Sequence, residues 1–239
     1  MLGYDLRNRS VLRYGIDPWL DIERLSKGRG LDVATIFDVG ANIGQTAKEF
    51  SSRYPGATIF SFEPVRSTFE ELRRQVADLP HVRPQHCALG AERRTAEILL
   101  YDCSLLNSLA LNPRYPQRYG MKSRSAMCRV ETVDAFSADN AIPRIDILKI
   151  DTEGYDLEVL NGARGLISDG RIQFVFVEFN EILPNVEASG GSLLQIAEFL
   201  EPNGFAFIAS YTDYVATEGD LFVVCNALFA RKDVTKREA

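Results

Sequence analysis

The chain has 239 residues, of which 46% are hydrophobic and 25% charged, and its formal net charge at pH 7 is −6. These proportions are typical of a globular protein, and the length suits one large α/β domain. The acidic balance argues against a nucleic-acid partner, because neutralising backbone phosphates requires a basic surface. No apolar run approaches the length that spans a bilayer, so we expect no membrane partner.

The amino terminus and the cysteines point to the same compartment. The opening residues, MLGYDLR, lack the apolar core of a secretory signal. Neither a CxxC pair nor a spacing that suits zinc occurs among Cys87, Cys103, Cys128 and Cys225. We therefore expect a cytoplasmic protein with reduced, structural thiols, because disulfides are rare in the cytosol.

From residue 34 onward, strand-like and helix-like patterns alternate. Residues 34–39 form a short apolar run that predicts a buried strand. The helix predicted after it has an apolar face formed by Ile43, Ala47, Phe50 and Tyr54. A second strand over residues 57–62, a helix over 65–76 and a third strand over 81–89 continue the pattern.

The same alternation resumes in the second half of the chain. The predicted elements are a strand over 145–150, a helix over 157–167, a strand over 174–177, a helix over 193–200 and strands over 205–209 and 221–229. Repeated strand–helix units predict an α/β fold with a doubly wound, mainly parallel sheet. The last two strands have no helical period between them, which predicts that one of them runs antiparallel.

Two segments fall outside the alternation. Residues 1–33 contain a short predicted helix that we expect to cover one end of the domain, with Trp19 and Ile22 on its apolar face. Residues 91–133 contain extra predicted strands over 96–101 and 127–133, and we interpret them as an inserted segment that shapes the substrate site. The predicted organisation is thus a cover segment (1–33), a main domain (34–230) and a tail (231–239).

A glycine-containing loop follows the first predicted strand. Its sequence, DVGANIG at residues 38–44, lets the backbone approach a ligand closely and leaves N–H groups free at the start of the helix. The spacing is GxxxG and not the GxGxxG of dinucleotide sites, which disfavours a nicotinamide cofactor. The alternative is a tight strand-to-helix turn that binds nothing.

An acid, Glu63, ends the second predicted strand and is followed by Pro64. An acid at this position can accept hydrogen bonds from both hydroxyls of a ribose. Folds that bind NAD and folds that bind S-adenosylmethionine both use such an acid, so Glu63 does not choose between them. The alternative is an acid near a helix start, with Pro64 in the first turn.

Charged residues continue the strand predicted over 145–150, in the stretch DILKIDTEGYD at residues 146–156. Lys149 interrupts the apolar strand and Asp151 follows its end. Open α/β sheets bind ligands at this edge, to which the strand over 174–177 adds Glu178. A solvated helix cap would explain the acids, but it explains Lys149 less well.

Six motifs occur in a fixed order along the chain. They are DVGANIGQT (38–46), SFEP (61–64), ALG (88–90), NSL (107–109), VETVD (130–134) and LKIDTEGYD (148–156). In this order they resemble the FkbM family of S-adenosylmethionine-dependent methyltransferases, over about residues 15–230. The last motif is the most specific of the six.

This resemblance implies a fold, a reaction and a cofactor. The implied fold is a seven-stranded, mainly parallel sheet of the class I methyltransferase (Rossmann-like) type, and the implied reaction is O-methylation of a hydroxyl on a sugar, a glycan or a polyketide-type natural product. The implied cofactor is S-adenosylmethionine, which leaves as S-adenosylhomocysteine. The implied cofactor-binding residues are Asp38, Gly40, Asn42 and Gly44 for the methionine half, Glu63 for the ribose, Ala88 and Leu89 near the adenine, and Asp151 near the sulfonium.

A hydroxyl acceptor needs help to become a nucleophile, either from a general base or from a cation that lowers its pKa. We take Asp151 as the first candidate base and Glu178 as the second, with Glu153 beside them. The oxygens of Asp151, Glu178 and Asn180 are also ligands of the type that magnesium prefers, so a bound Mg²⁺ is the alternative. Carboxylates at a strand edge more often bind cofactor or cap helices.

Two other functions compete with methyl transfer. A nicotinamide-dependent oxidoreductase would use the same sheet and ribose acid, but the chain has neither GxGxxG nor Tyr-x-x-x-Lys. A nucleoside-cofactor-binding module without catalysis stays open. A histidine base is disfavoured, because His81 and His86 have no acid paired with them in the sequence.

Overall fold

The computed structural model describes residues 13–104, 107–110, 122–182, 191–216 and 222–232 of the chain. Within them the strands are β1 (Thr35–Val39), β2 (Thr58–Phe62), β3 (Val82–Gln85), β4 (Ala88–Leu89), β5 (Arg94–Leu100), β6 (Arg124–Glu131), β7 (Ile145–Ile150), β8 (Ile172–Ile182), β9 (Phe205–Ala216) and β10 (Phe222–Arg231). The helices are α1 (Pro18–Arg29), α2 (Gln45–Arg53), α3 (Arg66–Gln75), α4 (Val133–Asp139), α5 (Asp156–Asn161), α6 (Arg164–Ser168) and α7 (Leu193–Leu200). In this part of the chain, no helix has the length and apolarity to cross a membrane.

Seven of the described strands form the central sheet, in the order β3-β2-β1-β7-β8-β10-β9. β10 runs antiparallel to both of its neighbours, and the other neighbouring strands are parallel. The predicted doubly wound sheet with one antiparallel strand near the carboxyl terminus is therefore confirmed. The strand order reverses between β1 and β7, and open α/β sheets bind ligands beside the carboxyl ends of the strands at such a point.

The core lies on both faces of this sheet, as the apolar central strands require. All six residues of β7 are buried. On one face, Ile36 and Ile147 pack with α1, α2 and α3 through side chains such as Phe50 and Leu72. On the other face, Phe37 packs with α4 to α7. Successive strand residues point to opposite faces, so each central strand supplies both halves of the core.

Helix α1 is anchored to the sheet by polar as well as apolar contacts. Asp17 caps its start by accepting a hydrogen bond from the Leu20 amide at 3.0 Å. The Trp19 ring lies 4.7 Å from the rings of both Phe50 and Phe176, measured between centroids. The buried Asp21 carboxylate accepts a hydrogen bond from the Tyr211 hydroxyl at 2.7 Å. These contacts hold α1 against β9 and the centre of the sheet.

The segment between β3 and α4 differs in detail from the prediction. The strand expected over 81–89 is divided, because the chain bends after Gln85 and β4 pairs with β6 in a second sheet of order β4-β6-β5. The strand expected over 127–133 ends earlier, because the Thr132 side chain accepts a hydrogen bond from the Ala135 amide and starts α4. The division of the chain at residues 33, 91, 133 and 230 stays a prediction.

We predict that the Tyr211→Phe substitution lowers the free energy of unfolding by about 1.5–3 kcal/mol, because it removes a hydrogen bond to a buried carboxylate. Equilibrium urea unfolding measures the change. Tyr14→Phe is the matched control, since Tyr14 is half exposed, and it should change stability by less than about 0.5 kcal/mol. Equal stability of the two variants would contradict the anchoring role.

Candidate functional site

A cavity of about 280 Å³ lies at the carboxyl ends of β1, β2 and β7. Its wall brings together most of the residues that the sequence singles out, although they come from separate parts of the chain. The predicted residues that line it are Gly40, Asn42, Glu63, Ala88, Leu89 and Asp151. Two others, Asp38 and Gly44, lie behind this wall, where Asp38 is fully buried in β1.

The loop between β1 and α2 is pressed against the end of β7. Gly40 has a φ of 78°, and a Cβ there would lie 1.8 Å from the carbonyl oxygen of Asp151. Gly44 has a φ of 94°, and a Cβ there would lie 2.8 Å from a methyl carbon of Leu72 in α3. Both positions therefore require glycine. At Gly40 a side chain is excluded by the backbone of Asp151 in the cavity wall, and at Gly44 it is excluded by the packing of α3 against the start of α2.

Lys149 joins the two central strands beneath the cavity. It is paired in register with Asp38, and its Nζ lies 3.3 Å from Asp38 Oδ1 and 3.2 Å from Asp151 Oδ2. Burial by itself lowers the pKa of Lys149, but the carboxylates of Asp151 and Asp38 raise it by a larger amount. The pKa of Lys149 therefore lies above the ordinary lysine value, and the ammonium stays charged. Burial raises the pKa of Asp38, and Lys149 opposes that rise. The charged residue that interrupts the apolar strand is thus explained by pairing with acids on both sides.

Glu63 lies at the end of β2 with 6% of its surface exposed. Its Oε1 accepts a hydrogen bond from the Val65 amide at 2.8 Å. Burial raises the pKa of Glu63 to about 7, and hydrogen bonds from the backbone of Val65 and Asn42 oppose the rise. The carboxylate is therefore held in a fixed position by backbone donors at the rim of the cavity.

A group of acids lies at the end of β7 and on the neighbouring part of β8, which continues past Glu178 to Ile182. One oxygen of each of Asp151, Glu153 and Glu178 lies within 4.8 Å of the others. Burial raises the pKa of Glu178 well above its ordinary value, and Asp151 and Glu153 add to the rise. Burial, then Asp151 and Asp156, raise the pKa of Glu153 to about 8. The predicted candidate bases are thus neighbours in space, while the side chain of Asn180 lies outside the described part of the chain.

Asp156 has a different role from the other acids. One of its oxygens accepts hydrogen bonds from the Thr152 amide and hydroxyl, each at 3.0 Å, and the other accepts one from the Gly154 amide at 3.2 Å. Burial raises the pKa of Asp156 to about 7, and these hydrogen bonds oppose the rise. Asp156 therefore closes the loop that carries Asp151 and Glu153.

The inserted segment supplies wall residues after β5, although the sequence did not single out which of its residues would reach the cavity. Ser104, Asn107 and Leu109 line the cavity. The Ser108 hydroxyl donates a hydrogen bond to the Glu153 carbonyl oxygen at 2.7 Å, and the Ser104 hydroxyl donates one to Asn42 at 3.3 Å. The NSL motif was the signal in the sequence, but its spacing does not indicate what it contacts. Tyr115 and Tyr119, further along the inserted segment, lie outside the described residues.

Neither histidine belongs to the cavity wall. His81 Nε2 forms a hydrogen bond with the Ser51 hydroxyl at 2.8 Å. His86 comes directly after β3, and its ring stacks on the Phe69 ring with the two centroids 4.7 Å apart. The two imidazoles therefore have structural contacts outside the cavity, and neither is placed to act as a base there.

We predict that Gly40→Ala destabilises the protein by about 4 kcal/mol or more, because the new methyl group meets backbone and the φ is left-handed. Chemical unfolding followed by circular dichroism measures the loss. Gly56→Ala serves as the control, since a Cβ at Gly56 has no heavy atom within 4 Å. Similar stability of both variants would mean that the loop does not press against β7.

We predict that Glu63→Gln stabilises the ligand-free protein, and increasingly so at higher pH. Below the ordinary glutamate pKa the carboxyl is neutral in both the folded and the unfolded chain, whereas above about pH 7 it is ionised in both, at a cost to the folded state. The stability difference should grow by about 2 kcal/mol from about pH 5 to about pH 8. Urea unfolding at both pH values tests this, with exposed Glu97→Gln as a control. A constant difference would contradict a raised pKa.

Comparison with known proteins places the chain in one family. Residues 38–207 match the FkbM methyltransferase domain. The methyltransferase sdnD of Sordaria araneosa is 29% identical over 201 residues, which cover 71% of this chain and 73% of that protein. The 31-O-demethyl-FK506 methyltransferase FkbM of Streptomyces tacrolimicus is 26% identical over 204 residues, which cover 73% of each chain.

A solved structure shares the fold. A Galdieria sulphuraria protein assigned as a sarcosine dimethylglycine methyltransferase superposes with a TM-score of 0.50 at 11% identity, over 90% of this chain and 84% of that one. Fold likeness alone does not give a function. The family match, which extends over well over half of the chain, does. The chain belongs to the FkbM methyltransferase domain family and is a methyltransferase of the class I fold.

Proposed function

We propose that the chain transfers a methyl group from S-adenosylmethionine to a hydroxyl oxygen of a small molecule, on a sugar, a glycan or a polyketide-type natural product. The observation that carries the proposal is the meeting of Gly40, Glu63 and Asp151 around one cavity at the switch point of the sheet. The relative named 31-O-demethyl-FK506 methyltransferase supports an oxygen of a small molecule as the acceptor.

The wall residues in this proposal hold the methyl donor by its ends. Glu63, fixed by backbone donors, accepts hydrogen bonds from the ribose hydroxyls. Ala88 and Leu89 contact the adenine. Gly40 and Asn42 bring backbone close to the methionine half.

Two of the predicted cofactor-binding residues act from behind the wall. Asp38 contributes through Lys149 of β7, whose ammonium lies 3.3 Å from its carboxylate. Gly44 contributes by letting α2 start in contact with Leu72. We therefore assign Asp38 and Gly44 to support of the binding loop, and not to direct contact with the cofactor.

The reaction needs positioning and one proton acceptor. Bound S-adenosylmethionine supplies a methyl carbon on a positively charged sulfur. The acceptor oxygen bonds this carbon as the carbon–sulfur bond breaks, and the electron pair of that bond stays on sulfur. The hydroxyl proton passes to a carboxylate at the strand ends. Asp151 is our first choice, because it lines the cavity and is held by Lys149 at 3.2 Å, and Glu178 is the second.

The charge around the cavity supports a hydroxyl acceptor. Among the described residues that line it, Lys149 is the one cation, and it is already in contact with Asp38 and Asp151. Asp151 and Glu153 therefore face the cavity without a further cation among the described wall residues. Such a surface disfavours an anionic acceptor such as a nucleic-acid backbone, and Asp151 offers a proton acceptor to a neutral alcohol.

The test begins with binding and ends with methyl transfer. Isothermal titration of the wild-type chain should give saturable binding of S-adenosylmethionine and none of NADH. Incubation with a panel of hydroxylated small molecules should then give an acceptor whose mass rises by one methyl group. We predict that Asp151→Asn lowers kcat by about 100-fold to 10,000-fold, because the acceptor proton loses its base.

Asp78→Asn is the matched control, since Asp78 is exposed after α3, and it should keep wild-type turnover. Full turnover of Asp151→Asn would remove Asp151 as the base and make Glu178→Gln the next variant to measure. If the wild-type chain bound no S-adenosylmethionine, the proposed function would be wrong.

A further inference from the structure

The acids beside the cavity are spaced as ligands of one metal ion would be. One oxygen from each of Asp151, Glu153 and Glu178 lies within 4.8 Å of the other two. Oxygens bind Mg²⁺ at about 2.1 Å and Ca²⁺ at about 2.4 Å, so oxygens on opposite sides of one ion are about 4–5 Å apart. We propose that these three side chains bind one divalent cation.

A second observation is independent of the spacing. Glu178 has 5% of its surface exposed, and its Oε2 accepts no hydrogen bond from any described residue. A buried carboxylate oxygen without a donor is unfavourable, because its hydration is lost and no hydrogen bond or opposite charge compensates for the loss. A cation among the three acids supplies the missing partner. Glu63, at nearly the same burial, shows the contrast, since it has its backbone donor.

The neighbouring strand places one more oxygen close to Glu178. Asn226 of β10 is the register partner of Glu178 and is also buried. Its Nδ2 donates to Asp213, while its Oδ1 has no hydrogen-bond partner among the described residues. The NH2 group of Asn226 is therefore hydrogen-bonded, whereas its carbonyl oxygen is buried without a hydrogen-bond donor among the described residues.

The available positive charge does not satisfy this cluster. Lys149 is the one cation among the described residues of the cavity wall, and its ammonium lies between Asp38 and Asp151. Asp156 is not a fourth member, because both of its oxygens accept hydrogen bonds from its own loop. Glu153 and Glu178 therefore remain for the ion.

The donor set selects the kind of ion. The cluster contains only carboxylate oxygens and neither histidine nor cysteine. Such sets suit the hard cations Mg²⁺, Mn²⁺ and Ca²⁺, and not zinc or copper. The proposed set shares Asp151 and Glu178 with the predicted one and adds Glu153, while the side chain of Asn180 lies outside the described residues.

The inference deepens the proposed function and rests on it for its consequence. An ion at this place would lie beside Asp151, the first-choice base, and would lower the pKa of a hydroxyl bound to it. A carboxylate that binds the ion through one oxygen keeps the other free to accept a proton. The roles of ligand and base are therefore compatible in Glu178, whereas one oxygen of Asp151 is already in contact with Lys149.

Titration of the full chain with Mn²⁺, without methyl donor, tests the site. Free Mn²⁺ is counted by electron paramagnetic resonance for the wild type, Glu153→Gln, Glu178→Gln and the surface control Glu97→Gln. We expect the wild type and the control to bind one Mn²⁺ per chain, and the two site variants to bind about 10-fold to 100-fold more weakly. Glu178→Gln should still fold, because it removes a buried charge at constant volume.

Thermal unfolding gives a second readout that needs no activity. Mn²⁺ should raise the melting temperature of the wild type and of Glu97→Gln by equal amounts and that of Glu178→Gln by less at the same Mn²⁺ concentration, because an ion that binds only the folded state stabilises it. The absence of saturable Mn²⁺ binding, or equal affinity in all four proteins, would overturn the inference.

A parallel titration with S-adenosylmethionine separates this inference from the proposed function. If the wild type binds S-adenosylmethionine but no Mn²⁺, the cation site is wrong and the proposed function stands. If it binds Mn²⁺ through Glu153 and Glu178 but no S-adenosylmethionine, the cation site stands and the proposed function is wrong.

Discussion

The ammonium of Lys149 lies between the carboxylates of Asp38 and Asp151 and 3.5 Å from the Gly40 carbonyl oxygen. These groups come from β1 and β7 and from the loops that follow them, so one buried cation joins the two strands at the site. Loss of one partner from a buried pair costs about 3–5 kcal/mol, because the remaining charge is left without compensation. The close approach of Gly40 to the Asp151 carbonyl oxygen depends on the same alignment of β1 with β7.

From that arrangement the cavity acquires two chemically different sides. On one side are the glycine loop, Glu63 and the apolar residues Ala88 and Leu89, where backbone donors hold the single carboxylate. On the other side, Asp151 and its acidic neighbours crowd together with few donors. The first side suits a nucleoside, which is recognised by directed hydrogen bonds and packing. The second suits chemistry that needs proton acceptors or a cation.

The inserted segment connects these two sides. Ser104 contacts Asn42 of the glycine loop, and Ser108 contacts the backbone of Glu153 in the acidic loop. The segment therefore contacts the glycine loop on one side of the cavity and the acidic loop on the other, through one hydrogen bond to each. Wall residues on such a loop can vary without disturbing the sheet, which is how one fold serves different acceptors.

Sequence alone determined the α/β fold, the reversed strand near the carboxyl terminus and the motifs at the strand ends, because apolar periodicity and glycine positions are local properties. Whether a side chain lines the cavity or lies behind it depends on strand order and on the face to which it points. Tertiary structure therefore placed Asp38 beside Lys149 on the neighbouring strand and Gly44 against α3. It also brought Glu153 close to Glu178, a distance that their spacing in the sequence does not give. It also divided the predicted third strand, because the pairing of β4 with β6 is a contact between distant parts of the chain.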